Sequence, residues 1–187
     1  MNDAIAKHFQ IMARNNRWSN FRLLNACAKL NQTELEAKRT SFFPSILLTL
    51  NHILIIDWYN LDALEGGNLG LSVFKDTTPY RTVIELQQAQ AAADRRLIQL
   101  CDRLTSEGII EKIAFDRVQQ GIKRDRIDRT LAHLFVHQIH HRGQVHAMLS
   151  KTTVEPPQLD EFLMEGNAPN RAENLILLGF SEADITP

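Results

Sequence analysis

The chain lacks any marked excess of positive or negative charge: 21 lysines and arginines face 22 aspartates and glutamates, a formal net charge of −1. That balance gives no footprint for a polyanion, so no nucleic-acid partner is expected. Cysteine is scarce, and Cys27 and Cys101 stand far apart with no CxxC or Cys/His finger spacing, which excludes a zinc finger. Two reduced, buried thiols fit a cytoplasmic protein better than a disulfide does. Long hydrophobic runs are lacking too. The most apolar stretch, residues 46–58, is broken by Asn51, His52 and Asp57 and is too short for a bilayer span, so no membrane partner is expected. The opening MNDAIAKHFQ has no basic region leading into an apolar core, and no secretory signal is expected. There is no Gly-rich phosphate loop, no GxSxG and no HExxH, which leaves serine hydrolase and zincin chemistry without support.

What the chain does have is helical periodicity. Ile5, Phe9, Met12, Phe21, Leu24 and Ala28 recur at helical spacing and predict a helix over residues 3–30, with Asp3 as cap and Asn31-Gln32-Thr33 as its end. A second helix is predicted over residues 41–64, with Pro44 in its first turn and Gly66-Gly67 as its stop. Residues 66–81 read as a loop. Thr82 and Glu85 fit a capping box for a third helix over residues 82–105, closed by Gly108. Residues 109–126, with Gly121 between partly alternating segments, suggest a short hairpin or extended excursion. The fourth helix, residues 127–151, has the clearest pattern, in Ile127, Leu131, Leu134, Val145 and Met148. After Pro156-Pro157, two short helices are expected, around residues 159–165 and 171–178. The reading is one all-α domain over residues 1–187, an up-down four-helix bundle with a hairpin excursion and short C-terminal helices.

Seven histidines carry the functional signal. Residues four apart lie only about 40° apart around a helix. His141 falls within the apolar stripe of the fourth helix, and His137 sits at its margin one turn earlier. This is the spacing with which two imidazoles chelate one ion. Gln138 lies near the stripe centre as well, and such a gathering of inward polar groups calls for a partner. His133 and His140 lie on the outer flank, where periodicity alone leaves them open as substitutes for His137. His146 faces away, and His8 is expected at the surface. A third ligand is available in His52, which shares a largely apolar row of the second helix with Leu48, Ile55, Ile56 and Tyr59. Asp57 lies on a different face and is a poor co-ligand. Asp102 and Glu107 are expected to be solvated, and Arg142 and Gln144 to make surface or interhelical hydrogen bonds. Three imidazoles would leave a coordination position open, the mark of a catalytic rather than a structural site. They suit zinc, nickel, copper or iron(II).

The stretch LAHLFVHQIHHRGQVHAML resembles the hallmark of the DinB family of bacterial metal-binding four-helix bundles, which carries H-x-x-x-H-R-G-Q on its last bundle helix. The context LNHILIIDWYNL, the Asn16-Arg17-Trp18 motif and the PPQLDEF segment match as well, so the resemblance runs through nearly the whole chain. Only Trp58 shifts the usual aromatic spacing. The resemblance implies that His52, His137 and His141 form the metal triad, with zinc or nickel ahead of iron or manganese. It further implies a homodimer and a role in the stress response. The wider superfamily includes bacillithiol S-transferases and mycothiol-dependent maleylpyruvate isomerase. The implied activity is therefore transfer or isomerisation in which a low-molecular-weight thiol, activated by the metal, attacks a small electrophile. Metal-assisted hydrolysis and a non-enzymatic metal-binding role are the alternatives. No residue is assigned as general base.

Overall fold

A computed structural model describes residues 4–117 and 121–186. The first helix, α1, spans Ala4–Cys27, and the expected cap at Asp3 lies outside the described residues. Asn31 does not merely end it. Its side chain accepts the Glu34 N–H at 3.0 Å while its own N–H donates to Glu34, and this reciprocal cap starts a short helix, α2 (Gln32–Glu36). Helix α3 is Ile46–Leu64, and its cap is Ser45, whose hydroxyl accepts the Leu48 N–H at 3.2 Å. The helix therefore starts beyond Pro44 rather than around it. The loop over residues 66–81 holds one 3-10 turn, Gly70–Lys75. Helix α4 is Val83–Asp102, with the Thr82–Glu85 capping box as expected.

The excursion is a hairpin. Strands β1 (Lys112–Arg117) and β2 (Gly121–Arg126) pair antiparallel, from Lys112 opposite Arg126 to Arg117 opposite Gly121. Gly121 takes a φ of 64°, a conformation that L side chains rarely adopt. The Tyr59 hydroxyl donates to the Asp116 carbonyl at 2.6 Å and fastens the hairpin to α3. Helix α5 is Ile127–Leu149, and α6 is Ala168–Leu178, ended by Gly179 at φ 74°. The short helix expected around residues 159–165 does not form. The chain there is irregular and leads to a 3-10 turn at Glu165–Asn167.

Helices α1, α3, α4 and α5 make the all-α bundle. Their directions follow from side-chain pairs. Arg14–Asp102 and Asn20–Asp94 set α1 antiparallel to α4. His52 and Asp57 meet His137 and Gln138 across α3 and α5; His52 also faces His141, while Asn60, further along α3, shares a cavity with Thr130 and His133 at the start of α5, so the two run antiparallel. Asn51–Tyr80, Asp57–Gln90 and Glu65–Arg96 advance together, so α3 and α4 are parallel. The order is thus up, down, down, up, rather than strict alternation. The connection over residues 65–82 makes this possible. Extended, such a segment reaches up to about 59 Å, and the 19 residues of α3 rise only about 28 Å. The main core lies between the four helices, and Cys27 and Cys101 sit in it as free thiols. A second cluster, with Trp18, Phe162, Leu175 and Leu178, fixes the C-terminal segment to α1. Among the described residues no helix is long and apolar enough to cross a membrane.

Candidate metal centre

The antiparallel seam of α3 and α5 brings His52 to face His137 and His141. Ring centroids are 5.0 Å apart for His52–His137, 4.6 Å for His52–His141 and 4.3 Å for His137–His141. One ring nitrogen from each lies within 4.8 Å of the others, a set that could hold a metal ion. The Nε2 atoms of His52 and His137 stand 3.0 Å apart, so a proton or a cation must lie between them. Ligand nitrogens on a tetrahedral zinc would sit about 3.4 Å apart, a spacing the observed pair needs little movement to reach.

Protonation and orientation both suit a cation. Burial pushes the His52 imidazole down to about 4, helped by nearby His141. Burial also pushes His137 down to about 3, with the surrounding histidines adding to it. His141 is lowered by burial too, partly offset by its hydrogen bond to Gln144. At neutral pH all three rings are neutral, so each has one nitrogen lone pair to offer a cation that takes the place of the proton between His52 and His137. His141 Nδ1 donates to Gln144 Oε1 at 2.8 Å, which turns Nε2 toward the triad. The Gln144 amide in turn donates to His140 Nε2 at 3.1 Å. The buried Nδ1 of His137 has no hydrogen-bond partner. Phe43, in the irregular segment before α3, covers the triad, its ring centroid 4.2 Å from His52 and 5.7 Å from His141.

The sequence expectations divide cleanly. His52, His137 and His141 come together. His133 and His140 are exposed beside them, with the His133 ring 6.3 Å from His137. His146 is half-buried on another side of α5, and His8 is exposed. Asp102 is not simply solvated, since it pairs with Arg14 at 2.8 Å. Phe43 is the site residue that sequence reasoning missed, and Gln144, expected to make a surface or interhelical hydrogen bond, instead bonds to His141 on its own helix. Gln144 had a signal, its i+3 spacing from His141, which puts it within reach on one helix face. Replacing Gln144 by leucine should weaken zinc binding roughly 10- to 100-fold by freeing the His141 ring. Chelator competition measures this, and an unchanged affinity removes Gln144 from the site.

Behind the triad, the core holds a polar network joining all four bundle helices. Asp57 accepts from Gln90 at 2.6 Å and from Gln138. Asp94 accepts from Asn16 at 3.1 Å, Asn20 at 2.9 Å and Gln90 at 3.2 Å. Arg142 Nη1 donates to Asn16, to Asn20 at 3.0 Å and to Gln138 at 3.2 Å. All seven side chains are buried. Burial is the main force pushing the Asp57 carboxyl up to about 7 and Asp94 up to about 6, and bringing Arg142 down to about 10. Asp57 is thus no co-ligand: it serves the core one and a half turns from His52.

Two comparisons each cover most of the chain. The sequence profile of the DinB family matches residues 1–173. A curated relative, Protein DinB of Bacillus subtilis (strain 168), is 23% identical over 139 residues, covering 72% of this chain and 80% of the relative.

Proposed function

Because the chain belongs to the DinB family, we propose that it binds a divalent metal through His52, His137 and His141 and transfers a low-molecular-weight thiol to a small electrophile. The observation carrying this reading is the donor set itself. Three neutral imidazoles converge, and no carboxylate perturbs any of them. Such a set leaves the charge of a bound cation uncompensated, so the cation would favour an anionic fourth group and draw the proton from a coordinated thiol. The surrounding residues shape the rest. Phe43 shields one side of the triad, while His137 borders a cavity of about 200 Å³ walled by Ile56, Tyr59, Leu71 and Phe74. That cavity gives an electrophile an apolar seat beside the open side. A homodimeric state and zinc or nickel as the metal belong to the same proposal.

The test uses zinc- or nickel-loaded protein, glutathione or cysteine, and 1-chloro-2,4-dinitrobenzene. The thiol loses its proton, a carbon–sulfur bond forms and chloride leaves. The expected result is a rate at least about tenfold above background, lost on chelation and in His52→Ala. Metal stoichiometrically bound, with no conjugation of any of several thiols, rejects the reading. Metal-dependent ester hydrolysis without a thiol would replace it with the hydrolytic one.

A further inference from the structure

The Asn16-Arg17-Trp18 and PPQLDEF motifs take no part in the triad, yet they meet elsewhere. The segment over residues 156–163 crosses the seam of α1 and α5 as a strap. Its Phe162, only 1% exposed, packs its ring 5.2 Å from Trp18. Beneath the strap is a cleft of about 660 Å³. Apolar walls come from Met12 on α1, Ile139 on α5, and Leu159 and Leu163 on the strap. On α5 it lies roughly opposite the triad, at about 170° from the His137–His141 midpoint at 100° per residue. The volume is that of a small-molecule site, and a largely apolar wall with a few converging polar groups is the usual make-up of one.

One of those polar groups is Arg142, 96% removed from solvent yet part of the wall (4% exposed). Its Nη1 is committed to Asn16, Asn20 and Gln138. Its Nε and Nη2 make no hydrogen bond among the described residues, and neither is among the fully occluded unpartnered atoms. A buried guanidinium edge that retains free donors is costly unless something accepts from it. The charge of Arg142, however, is already matched by Asp57 and Asp94 in the same network. An anionic ligand would bring a third negative group to one cation. Of the rest of the lining, Asp160 is exposed and accepts from Gln158 at 2.6 Å, so its charge is screened by solvent and gives an ion in the cleft little attraction. Gly143 leaves the floor open, since a Cβ there would meet nothing within 4 Å.

We infer that this cleft is a second ligand site, separate from the histidine triad, for a small, mainly apolar molecule presenting a neutral carbonyl or amide oxygen to Arg142.

Three matched probes test it: hexanamide, hexanoate and hexylamine, titrated into the full chain and followed by amide NMR shifts and calorimetry. Hexanamide should bind about tenfold tighter than hexylamine, which as an ammonium cannot accept the hydrogen bond, and about tenfold tighter than hexanoate, which brings a further negative charge beside Asp57 and Asp94. Its shifts should centre on Ser19, Gly143 and Leu159. Replacing Gly143 by methionine fills the cleft on a helical backbone that accepts a side chain. It should lower hexanamide affinity at least about tenfold, with helix content and zinc binding unchanged. Hexanoate or hexylamine binding as tightly as hexanamide overturns the assignment of a neutral acceptor. Absence of binding, shifts centred on His52 and His137, or full affinity in Gly143→Met overturns the site.

Discussion

Replacing His137 by alanine should abolish tight metal uptake while leaving the metal-free protein at least as stable as the parent. Burial pushes the His137 imidazole down further than that of His52, to about 3, and its Nε2 stands 3.0 Å from that of His52. Its buried Nδ1 lacks a partner, and its ring is crowded by His52, His133 and His141. In the metal-free protein these features cost stability rather than supply it, so truncation relieves a desolvated group. For a cation the same ring is one of three donors. Its loss should exceed the effect of an orienting partner and lower zinc or nickel affinity by at least about 100-fold. Calorimetry with each metal, paired with thermal melts, reads both halves of the prediction. In the parent, metal at about 100 times its dissociation constant should add about 2.7 kcal/mol of stability, and the variant should gain almost none at that concentration. Undiminished uptake by the variant would remove the triad as the metal site.

The second large effect belongs to Arg142. Replacement by leucine should cost about 3–5 kcal/mol, the range for a buried charge network deprived of one partner. Three side-chain carbonyls, those of Asn16, Asn20 and Gln138, lose their donor. Asp57 and Asp94 lose the cation that favours their ionised forms. The loss depends on pH with a definite sign. Burial has already raised both carboxyls in the folded state, to about 7 and about 6. An acid so raised binds more protons folded than unfolded, so stability falls as pH climbs from about 4 through the folded value. Without Arg142 both values rise further. The deficit of the variant should therefore be larger at pH 8 than at pH 5. Urea denaturation of both proteins at the two pH values tests this, and the triad's own titration cancels in the difference. A deficit below about 1 kcal/mol, or one equal at both pH values, would show that the network does not depend on its guanidinium.

Much of the fold was legible because long amphipathic helices announce themselves. The stripe through Leu131, Leu134 and Val145 marked α5, and Gly121 marked the hairpin. The failures are local. Five residues are too few for α2 to show a period, and Asn31 reads equally as a stop or a cap. Pro44 drew the start of α3 too early because the Ser45 hydroxyl, not the proline, fixes it. The parallel course of α3 and α4 has no local signature, since a connection of that length permits either direction. At the site, the spacing of His137 and His141 showed a chelating pair, and the resemblance chose it over His133 and His140. Phe43 was beyond reach because it acts from irregular chain, where no periodicity assigns a face. The core network was half visible. Periodicity marks Gln138 as an inward polar residue, but the position of Asp57 along α3 speaks only to its relation with His52. Its true partners, Gln90 and Gln138, lie 33 and 81 positions away.

The up, down, down, up course of the bundle also orders events during synthesis. Of the four bundle helices, α1 and α3 lie diagonally, and so do α4 and α5, so neither of these pairs of successive bundle helices can form a local hairpin. His52 and His137 are 85 positions apart, and the second ligand helix is the last of the four to leave the ribosome. Closing that separation depends on long-range docking, which is slow relative to forming the helices themselves. A nascent chain ending before α5 holds His52 alone. A cation held by the proposed triad would thus be captured only by chains that have already assembled the bundle, and metal content would report on completed folding.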